Sequence, residues 1–264
     1  MDPFALMDFL GLSIGQVERF ILIVSRFSGM FLSAPFFSRA VGPRRIKTAL
    51  LLGISLVVFP LVTPWPMEGK ASVTSMIGAG VTEVLIGAIF GMLVHWVLVA
   101  VQVAGGLIGF QMGLSMAMVM DPTSGMQEGV LSNLLYLVVL MIFLNLDGHH
   151  LLIEGIANSF KTVPLGGGLP AGEGMLKASI AGLIQLFKLA IIISAPIIAA
   201  TKLLYLGMGL INRASPQIQV FFLAMPIAQL IGFIVLGLTM TLFSQVMARE
   251  IDGFFSLANK VLGL

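Results

Sequence analysis

Six predominantly apolar stretches dominate this sequence and constrain its fold more than any other feature. They run at about residues 14–34, 48–63, 76–108, 130–146, 178–211 and 218–247. Most prolines fall between them, where the missing N–H donor costs little, whereas Pro60, Pro196 and Pro226 lie inside and predict kinks or caps. We therefore predict an all-α, membrane-class protein built from long, kinked helical hairpins.

The composition supports the membrane class and excludes several kinds of chemistry. Hydrophobic residues make up 58% of the 264 residues and charged residues only 10%, against roughly 25% charged residues in soluble domains. The net charge of +2 is too small to indicate a nucleic-acid partner. Because the chain has no cysteine, disulfides, thiolate zinc sites and iron–sulfur clusters are excluded. Asp2 and Asp8 argue against a removable signal peptide.

The lengths of the apolar stretches do not fit a simple bundle of six spans. A bilayer core of about 30 Å requires about 20 helical residues, whereas stretches 76–108 and 178–211 would each be roughly 50 Å long. The basic residues indicate little about orientation, because only the loop around residues 39–47 is densely charged. We infer that protein neighbours, and not lipid alone, surround several of these helices.

Charged side chains inside the apolar stretches indicate contact with a partner or with water. Arg26 lies in the first stretch, Glu83 in the third, and Lys188 and Lys202 in the fifth. Ionisable groups are costly in hydrocarbon and normally face a partner or a water-filled path. We predict that these four residues lie at assembly interfaces. For Lys188, snorkelling of its charged end to the membrane surface is the simpler explanation.

Three regularly spaced glycines, called the glycine ladder below, overlap the start of a methionine-rich segment, which is the part of the chain that most suggests a function. Gly105, Gly109 and Gly113 repeat every fourth residue, a spacing that allows helix backbones to approach closely in membranes. The methionine-rich segment comprises residues 111–126 and therefore includes Gly113. Methionine is unbranched and adaptable, and suits a surface that closes on itself and reopens around variable contents. Because the chain has 17 methionines, a helix end packed into a methionine-rich core is the alternative.

Catalytic and metal-binding motifs are weak in this sequence. The string Asp147-Gly148-His149-His150 alone suggests metal or proton chemistry, but adjacent histidines on a helix diverge by about 100° and chelate one ion poorly. We interpret it as a turn or helix start capped by Asp147. No HExxH, GxSxG or Gly-Lys-Ser/Thr motif occurs. We expect a protein that is not an enzyme and that holds neither a cofactor nor a metal ion.

Five strings, in this order and at this spacing, resemble a single family. They are RFSGMFLSAPFFS (26–38), AGGLIGFQMGLS (104–115), DP (121–122), FLNLDGHH (143–150) and GLINRASPQ (209–217). The chain resembles the FliR family of flagellar biosynthetic proteins, an export-gate component related to the T-type subunit of virulence type III secretion systems. The resemblance covers nearly the full length.

The resemblance implies a hetero-oligomeric, helical export gate in the bacterial inner membrane at the flagellar basal body. FliR-like, FliP-like and FliQ-like subunits would build its channel, FlhB-like and FlhA-like subunits would join them, and unfolded flagellar proteins would pass through. Membrane lipid would surround part of the assembly, and nucleic acid would play no part. Residues 1–177 would correspond to a FliP-like portion and residues 178–264 to a FliQ-like helical hairpin.

The resemblance also places the family's gate, or plug, loop on residues 111–125. The residues assigned to pore closure are Gln111, Met112, Met116, Met118, Met120, Asp121 and Pro122. A cluster of methionines can grip an extended chain without demanding a sequence, and can collapse to exclude ions when the pore is empty.

Two alternatives remain open at this stage. Arg213, Pro216 and Gln217 lie at the tip between the last two apolar stretches, where they either position that tip against neighbouring subunits or form a plain connecting turn. A secondary transporter with an intramembrane charged site is the alternative function. It predicts an internal repeat, and the two halves of the chain contain no convincing one.

Overall fold

A computed structural model describes residues 13–34, 43–66, 69, 72–114, 129–168, 172–215, 217 and 219–262. Throughout these residues the regular secondary structure is helical, which confirms the predicted all-α class. The α-helices are α1 (Ile14–Ser33), α2 (Arg44–Val58), α3 (Val73–Gln111), α4 (Val130–Asn145), α5 (Gly148–Thr162), α6 (Gly172–Ala214) and α7 (Val220–Leu262). A 3₁₀ turn, Phe59–Leu61, follows α2.

Helices α2, α3, α6 and α7 extend beyond the apolar stretches into more polar sequence. Helix α2 begins at Arg44, because Pro43 takes the N-cap position and the charged first turn needs no burial. Helix α5 coincides with no apolar stretch, since its polar and apolar residues alternate around the helix. Pro196 and Pro226 lie inside continuous helices, whereas Pro60 lies in the 3₁₀ turn at the end of α2.

Local sequence explains both ends of α1. Ser13 and Gln16 form a capping box, in which the Ser13 hydroxyl accepts from the Gln16 N–H and the Gln16 side chain accepts from the Ser13 N–H. This arrangement satisfies two backbone donors at the helix start. The helix ends at Ser33, and Ala34 is already extended, as expected for a residue that precedes a proline.

Within the described residues, three helical segments are long and apolar enough to cross a membrane, and α4 with α5 counts as a fourth if that bent pair forms one span. The three are Val73–Gln111, Ile180–Ala214 and Phe222–Thr241, with 61%, 33% and 22% of their most apolar windows buried. The two segments of α6 and α7 therefore present far more apolar surface than the segment of α3.

The chain divides into two compact units. Unit 1 draws on residues 1–95, 147–182 and 252–264, and its core includes Leu22, Ile23, Phe27, Phe90 and Ile156. Unit 2 draws on residues 96–146 and 183–251, and its core includes Val101, Ile108, Leu135, Ile197 and Ala228. The division at residue 177 rests on likeness to other subunits and stays a prediction.

Candidate functional site

Helix α3 ends at Gln111, the first residue of the methionine-rich segment, and Gly113 terminates the helix. Gly113 has a φ of 77°, a left-handed conformation that costs glycine nothing. Its N–H donates to the Phe110 carbonyl at 3.1 Å and the Leu114 N–H donates to the Gly109 carbonyl at 2.9 Å. This pair of bonds is the Schellman motif that commonly ends helices. Gly113 is thus a helix terminator as well as a member of the glycine ladder.

All of the last four carbonyl groups of α3 have hydrogen-bond partners. The Met112 N–H donates to Ile108, and the hydroxyl of Tyr205 on α6 donates to the Gln111 carbonyl at 3.2 Å. Helix ends otherwise leave such carbonyls without an intrahelical partner. The end of α3 is therefore a fixed point from which the methionine-rich segment departs.

Met112, the first methionine of that segment, is packed inside unit 2. It is fully buried, and its side chain fills the space beside Gly232 on α7, where a Cβ atom would lie 2.6 Å from the Met112 Sδ. A Cβ on Gly113 would in turn lie 3.3 Å from the Met225 Cε. Residues 111–113 are thus held by α6 and α7 through small residues and flexible methionines.

Gly105 marks a close approach of α3 to α4. A Cβ on Gly105 would lie 2.7 Å from the Ser132 Cα, inside van der Waals contact with backbone that cannot rotate away. For the next residue, Gly106, the nearest atom is the Ser132 Oγ at 3.5 Å, an ordinary contact. Gly109 is buried in the same helix.

The structure joins Arg26 and Glu83 in a buried ion pair within unit 1. The Arg26 Nε donates to Glu83 Oε2, and the two side chains are 0% and 1% exposed. Arg26 also donates to the Ser159 hydroxyl at 3.0 Å and to the Val163 carbonyl at 2.9 Å. Its guanidinium lies 4.0 Å from the centre of the Phe160 ring. These contacts form the Arg26 cluster, which ties α1 and α3 to the end of α5.

Glu83 extends the Arg26 cluster to the turn after α5. Its second carboxylate oxygen accepts from the Gly166 N–H at 3.0 Å, so both oxygens have a partner. Gly166 has a φ of 68° and packs against the indole of Trp65, which leaves no room for a Cβ. Because each nitrogen of the guanidinium and each oxygen of the carboxylate has a partner, a charge pair remains tolerable in an apolar interior.

The remaining described residues with a predicted interface role lie on the surface of unit 2. Lys188, Lys202, Arg213 and Gln217 are exposed. Gln185, one turn before Lys188, donates from its amide to the Glu250 carboxylate at 3.0 Å and so links α6 to α7. Arg26 and Glu83 therefore differ from the lysines, because their partners lie within the same chain.

The structure corrects the interpretation of Asp147. It precedes α5 as predicted, but its side chain makes no capping hydrogen bond to the described backbone. Asp147 adopts a left-handed conformation with φ 55° and ψ 25°, and its Oδ1 lies 3.5 Å from the His150 Nδ1. A residue whose side chain caps a helix typically has an extended backbone, and Asp147 does not.

Several predicted gate and tip residues lie outside the described part of the chain. They are Met116, Met118, Met120, Asp121, Pro122 and Pro216. Their assignment stays a prediction from sequence, and Gln111 and Met112 are the members of the gate set whose surroundings are described.

Comparison with known proteins places these features in a family. The sequence profile of the family described as "Bacterial export proteins, family 1" matches residues 17–254. The chain is 30% identical to the flagellar biosynthetic protein FliR of Bacillus subtilis (strain 168) over 229 residues, covering 86% of this chain and 88% of that protein. It is 29% identical to the flagellar biosynthetic protein FliR of Pectobacterium carotovorum subsp. carotovorum over 252 residues, covering 94% of each chain.

A relative from a second kind of system is similar over a comparable length. The Yop proteins translocation protein T of Yersinia pestis is 26% identical over 219 residues, covering 82% of this chain and 84% of that protein. The two flagellar proteins named above match at higher identity and over more of the chain. With these matches, the secondary-transporter alternative is not favoured. The chain belongs to the family of bacterial export proteins, family 1, and is a membrane-embedded subunit of a flagellar type III export apparatus.

Proposed function

We propose that this subunit forms part of the export channel and contributes to its closure, without catalysing a reaction. The end of α3 supports the proposal most directly. A Schellman stop with every terminal carbonyl satisfied releases the chain into the methionine-rich segment from a fixed point. A closing element needs such an anchor, because an adaptable seal excludes ions only if its base does not move.

In this proposal Gln111 and Met112 anchor the gate, and Met116, Met118, Met120, Asp121 and Pro122 belong to its closing portion. Met112 is fully buried beside Gly232, so displacing it would cost packing contacts. Movement of the segment during passage of a substrate would therefore begin after Met112, with Gly113 as the hinge.

The exposed apolar surface of α6 and α7 supports a hetero-oligomeric assembly. Leu203, Leu206, Leu210 and Phe222 are each about 70% exposed. Lys188 and Lys202 are exposed on the same helix, α6. FliP-like and FliQ-like subunits are the proposed partners for this surface, with FlhB-like and FlhA-like subunits as further neighbours and lipid covering the remainder. The proposed site is the bacterial inner membrane at the flagellar basal body, and unfolded flagellar proteins are the proposed cargo.

The same resemblance underlies the proposed division of the chain. Residues 1–177 would correspond to the FliP-like portion and residues 178–264 to the FliQ-like hairpin. Arg213, Pro216 and Gln217 would then position the tip of that hairpin against a neighbouring subunit.

Leakage of ions across the membrane of resting cells tests whether the methionine-rich segment closes the channel. Cells carrying a chain shortened within residues 115–124, or with Met112, Met116, Met118 and Met120 all replaced by alanine, should leak ions or small dyes through the assembled gate. The matched control replaces Met92 and Met141, which are exposed elsewhere, and should not leak. Unchanged conductance in variants that assemble normally would rule out the closure role.

Native mass of a gently solubilised sample tests the assembly role. The proposal requires small apolar subunits that co-purify with the chain. A lone monomer that transports a small solute would instead support a transporter.

A further inference from the structure

We propose that Asp147, His149 and His150 form a binding site for one divalent transition-metal ion, with Zn²⁺ as the best-suited ion. The site lies at the start of α5, within unit 1, and is independent of the channel-closing role proposed above. The geometry that supports it was not apparent from the sequence, where adjacent histidines predict divergent side chains.

The three side chains converge closely enough to hold one ion. Each offers a ligand atom, and these atoms all lie within 4.8 Å of one another. The Asp147 Oδ1 and the His150 Nδ1 are 3.5 Å apart. Two ligands bound tetrahedrally to zinc at about 2.0–2.1 Å would be about 3.3 Å apart. This pair is therefore already spaced as two ligands of one zinc ion.

The backbone at Asp147 explains the convergence. Asp147 has the one positive φ found for a non-glycine residue in the described part of the chain, and this turns its carboxylate toward the side chain three residues later. The His149 and His150 rings lie on the same side, with centroids 4.2 Å apart and planes at 33°. Helix geometry separates their Cβ atoms by about 100°, but the two rings nevertheless lie close together.

His149 carries an unsatisfied polar atom. Its Nδ1 is buried and lacks a hydrogen-bond partner among the described residues. Leaving such an atom unpaired is unfavourable. Coordination of an ion through this nitrogen would give it the partner that a capped helix start does not provide.

The donor set selects the class of ion. Two imidazole nitrogens and one carboxylate oxygen suit Zn²⁺, Ni²⁺ or Cu²⁺, whereas Mg²⁺ and Ca²⁺ require mostly oxygen ligands. Asp147 and His150 are 72% and 71% exposed, so the ion would keep a coordination position for water or for a group from another protein. Because the ligands span four residues, the ion stabilises the first turn of α5 and does not cross-link distant elements.

Zinc binding to the purified complex tests the site. The chain is purified without a histidine tag, together with the subunits that accompany it, and stripped with a chelator. Zinc content is then measured after equilibration with buffered micromolar Zn²⁺. The wild-type chain should retain one Zn²⁺ ion, and His150→Ala or Asp147→Asn should weaken binding at least about tenfold, since each removes a ligand.

Glu154→Gln provides the matched control. It removes an exposed carboxylate from the same helix, outside the cluster, and should bind zinc like the wild type. In addition, Cu²⁺ loaded into the wild type should show nitrogen hyperfine coupling from two imidazoles by electron paramagnetic resonance, and His149→Ala should show one. Absence of zinc binding, equal binding by the His150→Ala variant, or equal loss in the Glu154→Gln variant would overturn the proposal.

Discussion

The interior of unit 1 buries charged side chains, whereas the α6–α7 helices of unit 2 expose apolar ones. Unit 1 buries a charged arginine and a charged glutamate together and satisfies both within the chain. The α6–α7 helices leave leucines and phenylalanines about 50–70% exposed, beside two exposed lysines. The difference indicates that the Arg26–Glu83 pair needs no partner from another chain, whereas the apolar surface of α6 and α7 requires lipid or another protein to cover it.

The largest effect is expected from breaking the Arg26 cluster. Glu83→Ala leaves Arg26 buried without its charge partner, and we expect a loss of about 3–5 kcal/mol in the free energy of unfolding. Denaturant titration of the solubilised chain measures this loss. Replacing both residues, Arg26→Met with Glu83→Leu, should recover most of it, because no charge then stays unpaired. A Glu83→Ala variant as stable as the exposed control Lys202→Ala would contradict the burial of the pair.

A smaller loss is expected where α3 meets α4. Gly105→Ala places a Cβ 2.7 Å from the Ser132 Cα, and overpacking of this kind costs about 1–3 kcal/mol. Gly106→Ala, one residue later, meets its nearest atom at 3.5 Å and should change little. The same titration compares the two variants, and equal stability would mean that α3 and α4 are not in close contact at Gly105.

The end of α3 should respond to Gly113→Ala more weakly still. A left-handed alanine costs about 1–2 kcal/mol, and we expect the Schellman stop to loosen. Resting cells should then leak small dyes, although less than cells with a shortened segment. Gly207→Ala on α6, where a Cβ would meet nothing within 4 Å, should be neutral or stabilising by less than about 1 kcal/mol. If the Gly113→Ala variant does not leak dye, the helix stop at Gly113 is not needed for closure of the channel.

The smallest effect on stability is expected on the surface of α6. Leu206 is 67% exposed, so Leu206→Asn should change the free energy of unfolding of the solubilised chain by at most about 0.5 kcal/mol. The same substitution should reduce the yield of co-purified subunits, because an asparagine amide would be buried against an apolar partner. An unchanged yield would assign this face to lipid, and the Gly207→Ala variant provides the control on the same helix.

Local rules predicted part of the site and missed another part. Gly113 could have been identified as a helix stop, because a glycine shortly after the last helical residue, here Gln111, is the usual signal. The pairing of Arg26 with Glu83 could not, since 57 residues separate them and no local pattern specifies a partner at that distance. Helix α5 does not coincide with an apolar stretch, because its polar residues lower the average hydropathy even though its apolar face is buried.

The sequence by itself determined the helical class, the membrane class and the family, because apolar stretches, proline positions and ordered strings are properties of the chain alone. Only the tertiary structure decided which charges are satisfied inside the molecule, that Met112 packs beside Gly232, and that Asp147 turns toward His150 instead of capping a helix. Each of these depends on the torsion angles of a single residue or on contacts between residues far apart in the chain. Sequence periodicity, which averages over many residues of one element, contains neither kind of information.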